Sequence, residues 1–296
     1  MRNAFIDELV VAAEKNNNIV LVVGDLGYGV VEPFAKRFPK RFFNAGVAEQ
    51  SMMSLSAGLA SEGFHVFVYS IANFPTFRCA EQIRNDVDYH KLPVTIVAVG
   101  GGVAYGNLGY SHHAVQDYAL IRVMPNMLIA APGDPMEVRA CMRYLTHNPQ
   151  PSYLRLGKSG ERCIHSEVPE VYPGKWLSIR EGDQYGDTYL TTGAALEIAN
   201  QSINDAKLPG WSLNSVPLWS MSTKQAQVSQ LERYSSVHTI EDHLMDGGFG
   251  SWLLEAAYTR ADLLVKIKIK AIDSKVCGLV GKQSTLNVVG GLFDGY

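Results

Sequence analysis

Pro93-Val94-Thr95-Ile96-Val97-Ala98-Val99 runs without a break into Gly100-Gly101-Gly102-Val103-Ala104-Tyr105-Gly106-Asn107-Leu108-Gly109-Tyr110-Ser111-His112-His113. The first seven residues are apolar and largely β-branched, the pattern of a central parallel strand covered on both faces. The remainder of the stretch is glycine-rich and reads as too polar to be buried. In open parallel sheets ligands bind just beyond the carboxyl ends of strands, so this loop is a candidate site. It lacks the G-x-G-x-x-G spacing of a dinucleotide fold and the lysine of a P-loop, which discounts both nucleotide readings. His112 and His113 are adjacent and joined by no Cys or carboxylate pattern, so no metal-ligating set is assigned.

Working outward, Ile19-Val20-Leu21-Val22-Val23 is a second buried parallel strand. Ala48 to Ser61 carries Met52, Leu55 and Leu59 at helical spacing, and His65-Val66-Phe67-Val68-Tyr69 is strand-like. Met127 to Ala131, a helix from Pro135 to Leu145, and Ser152 to Leu156 continue the alternation. A first α/β domain is expected over residues 1–160, then a connection over 161–175. A smaller α/β domain over 176–296 is expected from Thr188 to Gly193, a helix from Ala194, Ser236 to Ile240 and a helix from Gly250.

The bulk properties fit a folded α/β protein: 296 residues, 47% hydrophobic and 19% charged, with a formal charge of -3. No basic run suggests nucleic acid, and no long apolar stretch or basic amphipathic helix suggests a membrane. The acidic residues in the first eighteen positions do not suit a signal peptide, so a cytoplasmic location is expected. Cys79, Cys141, Cys163 and Cys277 form no C-x-x-C pair and are expected to be reduced, mostly buried thiols.

Three segments carry candidate chemistry. Asn44-Ala45-Gly46-Val47-Ala48-Glu49-Gln50 puts a carboxylate at a helix start, a place that the helix dipole favours in any protein. Phe74 and Phe77 flank Pro75, at a spacing common in ordinary cores. The histidine loop is the third. Together, V-V-G-D-L at Val22 to Leu26, N-A-G-V-A-E-Q, F-P-T-F at Phe74 to Phe77, and the histidine loop running into R-V-M-P-N-M resemble the pyrimidine-binding domain of transketolases. They are further similar to 1-deoxyxylulose-5-phosphate synthase and to the β subunit of the decarboxylating component of pyruvate dehydrogenase. I-E-D-H-L-M-D-G-G-F-G-S at Ile240 to Ser251 resembles the transketolase C-terminal domain.

The resemblance implies a two-carbon ketol transfer from a ketose donor to an aldose acceptor, using thiamine diphosphate and Mg²⁺. It implies that Glu49 activates the cofactor at its pyrimidine nitrogen, that Phe74 and Phe77 pack on the pyrimidine ring, and that Asp25 lines the cofactor pocket. His112 would contact the reacting sugar, with His113 beside it, and Arg2 and Lys158 would contact a substrate phosphate. Two departures concern the substrate: Leu108 stands where the family has an acidic residue, and Gly100 where it has a phosphate-binding histidine. The G-D-G diphosphate motif is also missing. The resemblance therefore implies a separately encoded N-terminal partner that supplies the diphosphate and Mg²⁺ contacts, in an α2β2 heterotetramer. The rival readings are the β subunit of a 2-oxo-acid dehydrogenase and a non-catalytic α/β binding module.

Overall fold

Every residue of β1 (Ile19–Val23) is buried, because alternate side chains enter apolar layers on opposite faces of one sheet. Val20 and Val22 face a layer with Met52, Met53, Ala57 and Ala60 of the helix Glu49–Ser61. Ile19, Leu21 and Val23 face Phe5 and Leu9 of the helix Arg2–Lys15 and Val138 of the helix Pro135–His147. The computed structural model describes residues 1–293.

The strands are β1, β2 (Phe42–Asn44), β3 (His65–Ile71), β4 (Val94–Val99), β5 (Leu128–Ala130), β6 (Ser152–Leu156), β7 (Leu177–Arg180), β8 (Asp187–Thr191), β9 (Ser212–Ser215), β10 (Leu218–Trp219), β11 (Ser236–Ile240) and β12 (Ile267–Lys270). Seven form a sheet in the order β10-β5-β6-β4-β3-β1-β2, and five form a second in the order β12-β11-β8-β9-β7. All pairings are parallel except β10 with β5 and β7 with β9. The α/β class and the strands expected from the apolar runs are present. β10 lies late in the chain yet closes the edge of the first sheet, pairing Leu218 with Ala130 and Trp219 with Ile129. Its Trp219 packs on Trp252, Phe249 and Tyr118 with ring centroids 5.2–5.5 Å apart.

The two parts meet on a buried charge cluster. Arg155 of β6 donates through Nε to Asp117 Oδ2 (2.7 Å) and through Nη1 to Asp242 Oδ1 (2.6 Å). Nη2 donates to the Ala114 carbonyl at 2.7 Å, the Tyr118 ring lies 4.4 Å from the guanidinium carbon, and the Tyr153 hydroxyl donates to Asp117. Arg155, Asp117 and Asp242 are each nearly inaccessible. The glycine run after β4 packs on this cluster. A Cβ at Gly101 would fall 2.5 Å from the Arg155 guanidinium carbon, and one at Gly102 2.5 Å from Asp242 Oδ2. This corrects the expectation that the run is too polar to be buried: residues 100–104 are buried, and exposure begins at Asn107. The thiols differ as well, since Cys79 and Cys141 are buried but Cys163 is exposed and Cys277 half-buried.

A second buried cluster ties the connecting segment to the helix Pro135–His147. Asp134 caps that helix through Oδ1 and accepts the Ile164 and His165 amides and the His165 ring Nδ1 through Oδ2. Against the effect of burial, His165 and the backbone amides hold the Asp134 carboxyl down at about 2. Burial pushes the neighbouring Glu137 up to about 7. His165 is raised despite its own burial, by Asp134 first and then Glu137.

Two outcomes are expected. Arg155→Met leaves two carboxylates buried without their cation and should cost about 3–5 kcal/mol in urea unfolding; a loss below about 1 kcal/mol would contradict the role given to the cluster. Glu137 and His165 both bind protons more tightly in the folded than in the unfolded chain. Stability from Glu137 is therefore present at low pH and is lost as pH rises from about 4.5 through about 7, and that from His165 is lost only as pH rises above its ordinary value of 6.5. Glu137→Gln should shrink the fall in melting temperature across that window, and an unchanged pH slope would count against the assignment.

Candidate functional site

Glu49 opens the helix Glu49–Ser61, and the chain before it is set by a reciprocal side-chain pair. Asn44 Nδ2 donates to Asp25 Oδ1 (2.9 Å), while Asn44 Oδ1 accepts the amides of Asp25 (3.1 Å) and Gly46 (2.9 Å). The Tyr28 hydroxyl also donates to Asp25 Oδ1 at 2.9 Å. The hydrogen bonds from Asn44 and Tyr28 lower the Asp25 pKa. Asp25 itself is exposed and has φ +54°, a left-handed conformation that aspartate tolerates better than most residues. It thus fixes the ends of β1 and β2, and through Gly46 the path of the chain into Glu49.

The Glu49 carboxylate is buried, with 6% relative exposure, at the edge of a recess of about 470 Å³ lined by Val47 to Ser51 and Arg78. Arg78 Nη1 donates to Glu49 Oε1 at 2.9 Å, and the same guanidinium lies 4.6 Å above the Phe74 ring. Phe74 meets the His112 ring edge-on at 5.2 Å. The contact is held by Asn73, whose Nδ2 donates to the His113 and Ser111 carbonyls at 2.7 and 3.2 Å, pinning the histidine loop to the helix Asn73–Phe77. Glu49, Arg78, Phe74 and His112 therefore form one continuous line of side chains. Phe77, at the end of the same short helix, is 48% exposed.

His112 is half-buried, and its Nδ1 lies 2.9 Å from the Ser111 hydroxyl. Burial first, and then neighbouring His113, lower its pKa, so at neutral pH the ring is uncharged and can both donate and accept. His113 is fully buried behind the loop, with Nε2 at 3.5 Å from the Gly106 carbonyl. Arg2 and Lys158 each lie near Tyr105. Lys158 Nζ lies 5.1 Å from the centre of that ring, and the Arg2 charge acts on the hydroxyls of both Tyr69 and Tyr105. Leu108 is 52% exposed at the loop tip.

The structure links Glu49, Phe74 and His112 through Arg78, with Asp25 hydrogen-bonded to Asn44 before Glu49, while Phe77 is exposed, His113 is buried behind the loop, and Arg2 and Lys158 lie near Tyr105. Sequence reasoning missed Arg78 and Tyr105. Arg78 had a signal, since it follows Phe74 by four residues and so shares a helix face with it. Tyr105 carried none, because its place depends on Gly100, Arg2 and Lys158 being neighbours in space. Chemically, the line offers a buried carboxylate, an aromatic face and a neutral imidazole in succession.

Residues 1–162 match the family model described as the transketolase pyrimidine-binding domain. A transketolase C-terminal section of Methanocaldococcus jannaschii is 34% identical over 289 residues, covering 97% of this chain and 90% of the relative. A subunit of the apulose-4-phosphate transketolase of Phocaeicola vulgatus is 33% identical, with 86% of this chain and 82% of the relative covered. The 1-deoxy-D-xylulose-5-phosphate synthase of Aquifex aeolicus is 33% identical across 95% of this chain but only 45% of its own length. Among solved structures, a split-gene transketolase described as an inactive β4 tetramer superposes with a TM-score of 0.83 at 30% identity, with 98% and 93% covered. The transketolase of Campylobacter jejuni reaches a TM-score of 0.77 at 18% identity over 98% of this chain and 44% of that one, a likeness of fold.

Proposed function

The chain belongs to the transketolase family, and we propose that it is the cofactor-activating subunit of a split transketolase. In this reading residues 1–160 provide the pyrimidine side of a thiamine diphosphate site and 176–296 the C-terminal domain, while a separately encoded N-terminal subunit holds the diphosphate, in an α2β2 assembly. The reaction is transfer of a two-carbon ketol unit from a ketose to an aldose. The observation that carries the reading is the unbroken line Glu49, Arg78, Phe74, His112.

The residues present fit the pyrimidine end of the cofactor. Glu49 already accepts an N–H from a planar group, and the Phe74 face already carries a flat, delocalised one. An aminopyrimidine asks for the same carboxylate and the same face. In this reading the Mg²⁺ contacts, like those to the diphosphate, come from the partner subunit.

When bound, thiamine diphosphate supplies the carbon nucleophile and electron sink. Glu49, whose side chain is buried at the edge of the recess, would hold a proton at the pyrimidine N1'. Phe74 and Phe77 orient the ring without demanding hydrogen bonds. His112, uncharged and half-exposed, exchanges protons with sugar hydroxyls as the carbon-carbon bond breaks or forms. Asp25 and Asn44 set the position of the loop that delivers Glu49.

Two measurements test this. Glu49→Gln keeps size and hydrogen bonding but has no carboxyl group to protonate N1'. In the complex with its partner it should slow deuterium exchange at the thiazolium carbon, and turnover with it, by about 10²- to 10⁴-fold. Exchange at the wild-type rate with assembly and cofactor binding intact would reduce Glu49 to a helix-start carboxylate. Calorimetric titration of the isolated chain with thiamine diphosphate and Mg²⁺ should show no tight binding, and micromolar affinity would sink the split-site reading.

A further inference from the structure

A cavity of about 270 Å³ lies where the segment after β6, the helix Ala195–Asp205, the turn after β11 and the helix Gln283–Val289 meet. Two of the side chains that line it are buried and keep an acceptor oxygen unused. Asp242, 3% exposed, gives Oδ1 to Arg155, but its Oδ2 has no hydrogen-bond partner among the described residues. Asn287, 6% exposed, has the same unmet need at Oδ1. A buried acceptor left without a donor is costly, more so when it is charged, so two of them on one cavity point to a ligand that carries several N–H or O–H groups.

The charges decide between those groups. One guanidinium, that of Arg155, faces two carboxylates, Asp117 and Asp242. His243 does not supply a second positive charge: its Nε2 lies 3.9 Å from Asp117 Oδ1, but burial above all lowers its pKa, and the ring is uncharged at neutral pH. Of the other ionic groups on the cavity, Lys158 has its Nζ over the Tyr105 ring and Glu161 accepts from the Met1 amino group at 2.9 Å. Glu197 meets only the exposed Arg162, at 3.6 Å, a weak pairing. The cavity exceeds what one water needs, and Ile198 and Phe293 give it an apolar wall.

We propose that this cavity is a binding site for a small primary ammonium compound, of the class of amino alcohols and amino sugars. The ammonium group donates to Asp242 Oδ2 and Asn287 Oδ1, the carbon skeleton lies against Ile198 and Phe293, and hydroxyls meet Gln201 and Ser284. The assignment does not depend on the transketolase reading. Because the walls come from both parts of the chain, the ligand binds the folded molecule with its parts joined and stabilises it by mass action.

The test is thermal unfolding of the full chain with glucosamine and ethanolamine, against glucose and ethylene glycol, in which a hydroxyl replaces the amine, all at equal ionic strength. At least one amine should raise the melting temperature saturably at millimolar concentration or below, and its hydroxyl counterpart should not. Asp242→Asn keeps the shape and an acceptor for Arg155 but removes the charge, and should abolish the rise. Asn287→Leu should weaken the Kd of the amine at least about tenfold in calorimetric titration, the effect of losing one hydrogen bond to a charged group. If Asp242→Asn does not fold, Asn287→Leu decides alone. No saturable shift with either amine, an equal shift with the hydroxyl counterpart or with ammonium or potassium chloride, or undiminished affinity in either variant overturns the proposal.

Discussion

Arg155 is the cation on which the two halves of the molecule agree. Its guanidinium sits at the carboxyl end of β6 and satisfies Asp117 from the segment after the histidine loop and Asp242 from the end of β11. Buried charges are costly unless paired, so removing Arg155 would leave both carboxylates without their cation, and its contacts join three elements of the chain. The glycines at 101 and 102 follow from this. They are small because a guanidinium and a carboxylate occupy the space beside them. The histidine loop thereby leaves β4 along a path dictated by a charge pair belonging partly to the second sheet.

The same physics accounts for what was legible in the sequence. Apolar runs such as Ile19 to Val23 and Val94 to Val99 announced their strands, because a strand buried on both faces has little freedom of composition. Glu49, Phe74 and His112 were legible only as a set of motifs in order, and the geometry puts them in one line. The burial of residues 100–104 was not legible, since a glycine-rich stretch reads the same whether it faces water or a guanidinium. Cys163 misled for a related reason: its exposure follows from the course of the connecting segment, which carries no periodicity. Arg78 and Tyr105 needed the fold, as each derives its meaning from neighbours distant in sequence or on another element.

Positioning in the candidate site is carried largely by amides. Asn44 holds the ends of β1 and β2 together and orients the turn into Glu49, while Asn73 holds the histidine loop against Phe74. Neutral amides suit this task because they donate and accept at once and hold their geometry across the pH range in which His112 changes charge. Asn73 thus holds the histidine loop without titrating itself, while Asn44 shares its task with the Asp25 carboxylate.

β10 gives the chain a particular order of completion. The first sheet is left with an open edge at β5 until residues 218 and 219 arrive, after three of the second sheet's five strands have been made. During synthesis on the ribosome, the amides and carbonyls of Leu128 to Ala130 face water for the time taken to add about ninety residues, and an unpaired strand edge is where a nascent chain pairs wrongly with another. Closing it with two residues from the far part of the chain makes contact order high and folding slow, but it also makes the final pairing a checkpoint. Trp219 is buried among Tyr118, Phe249 and Trp252 only once both sheets exist.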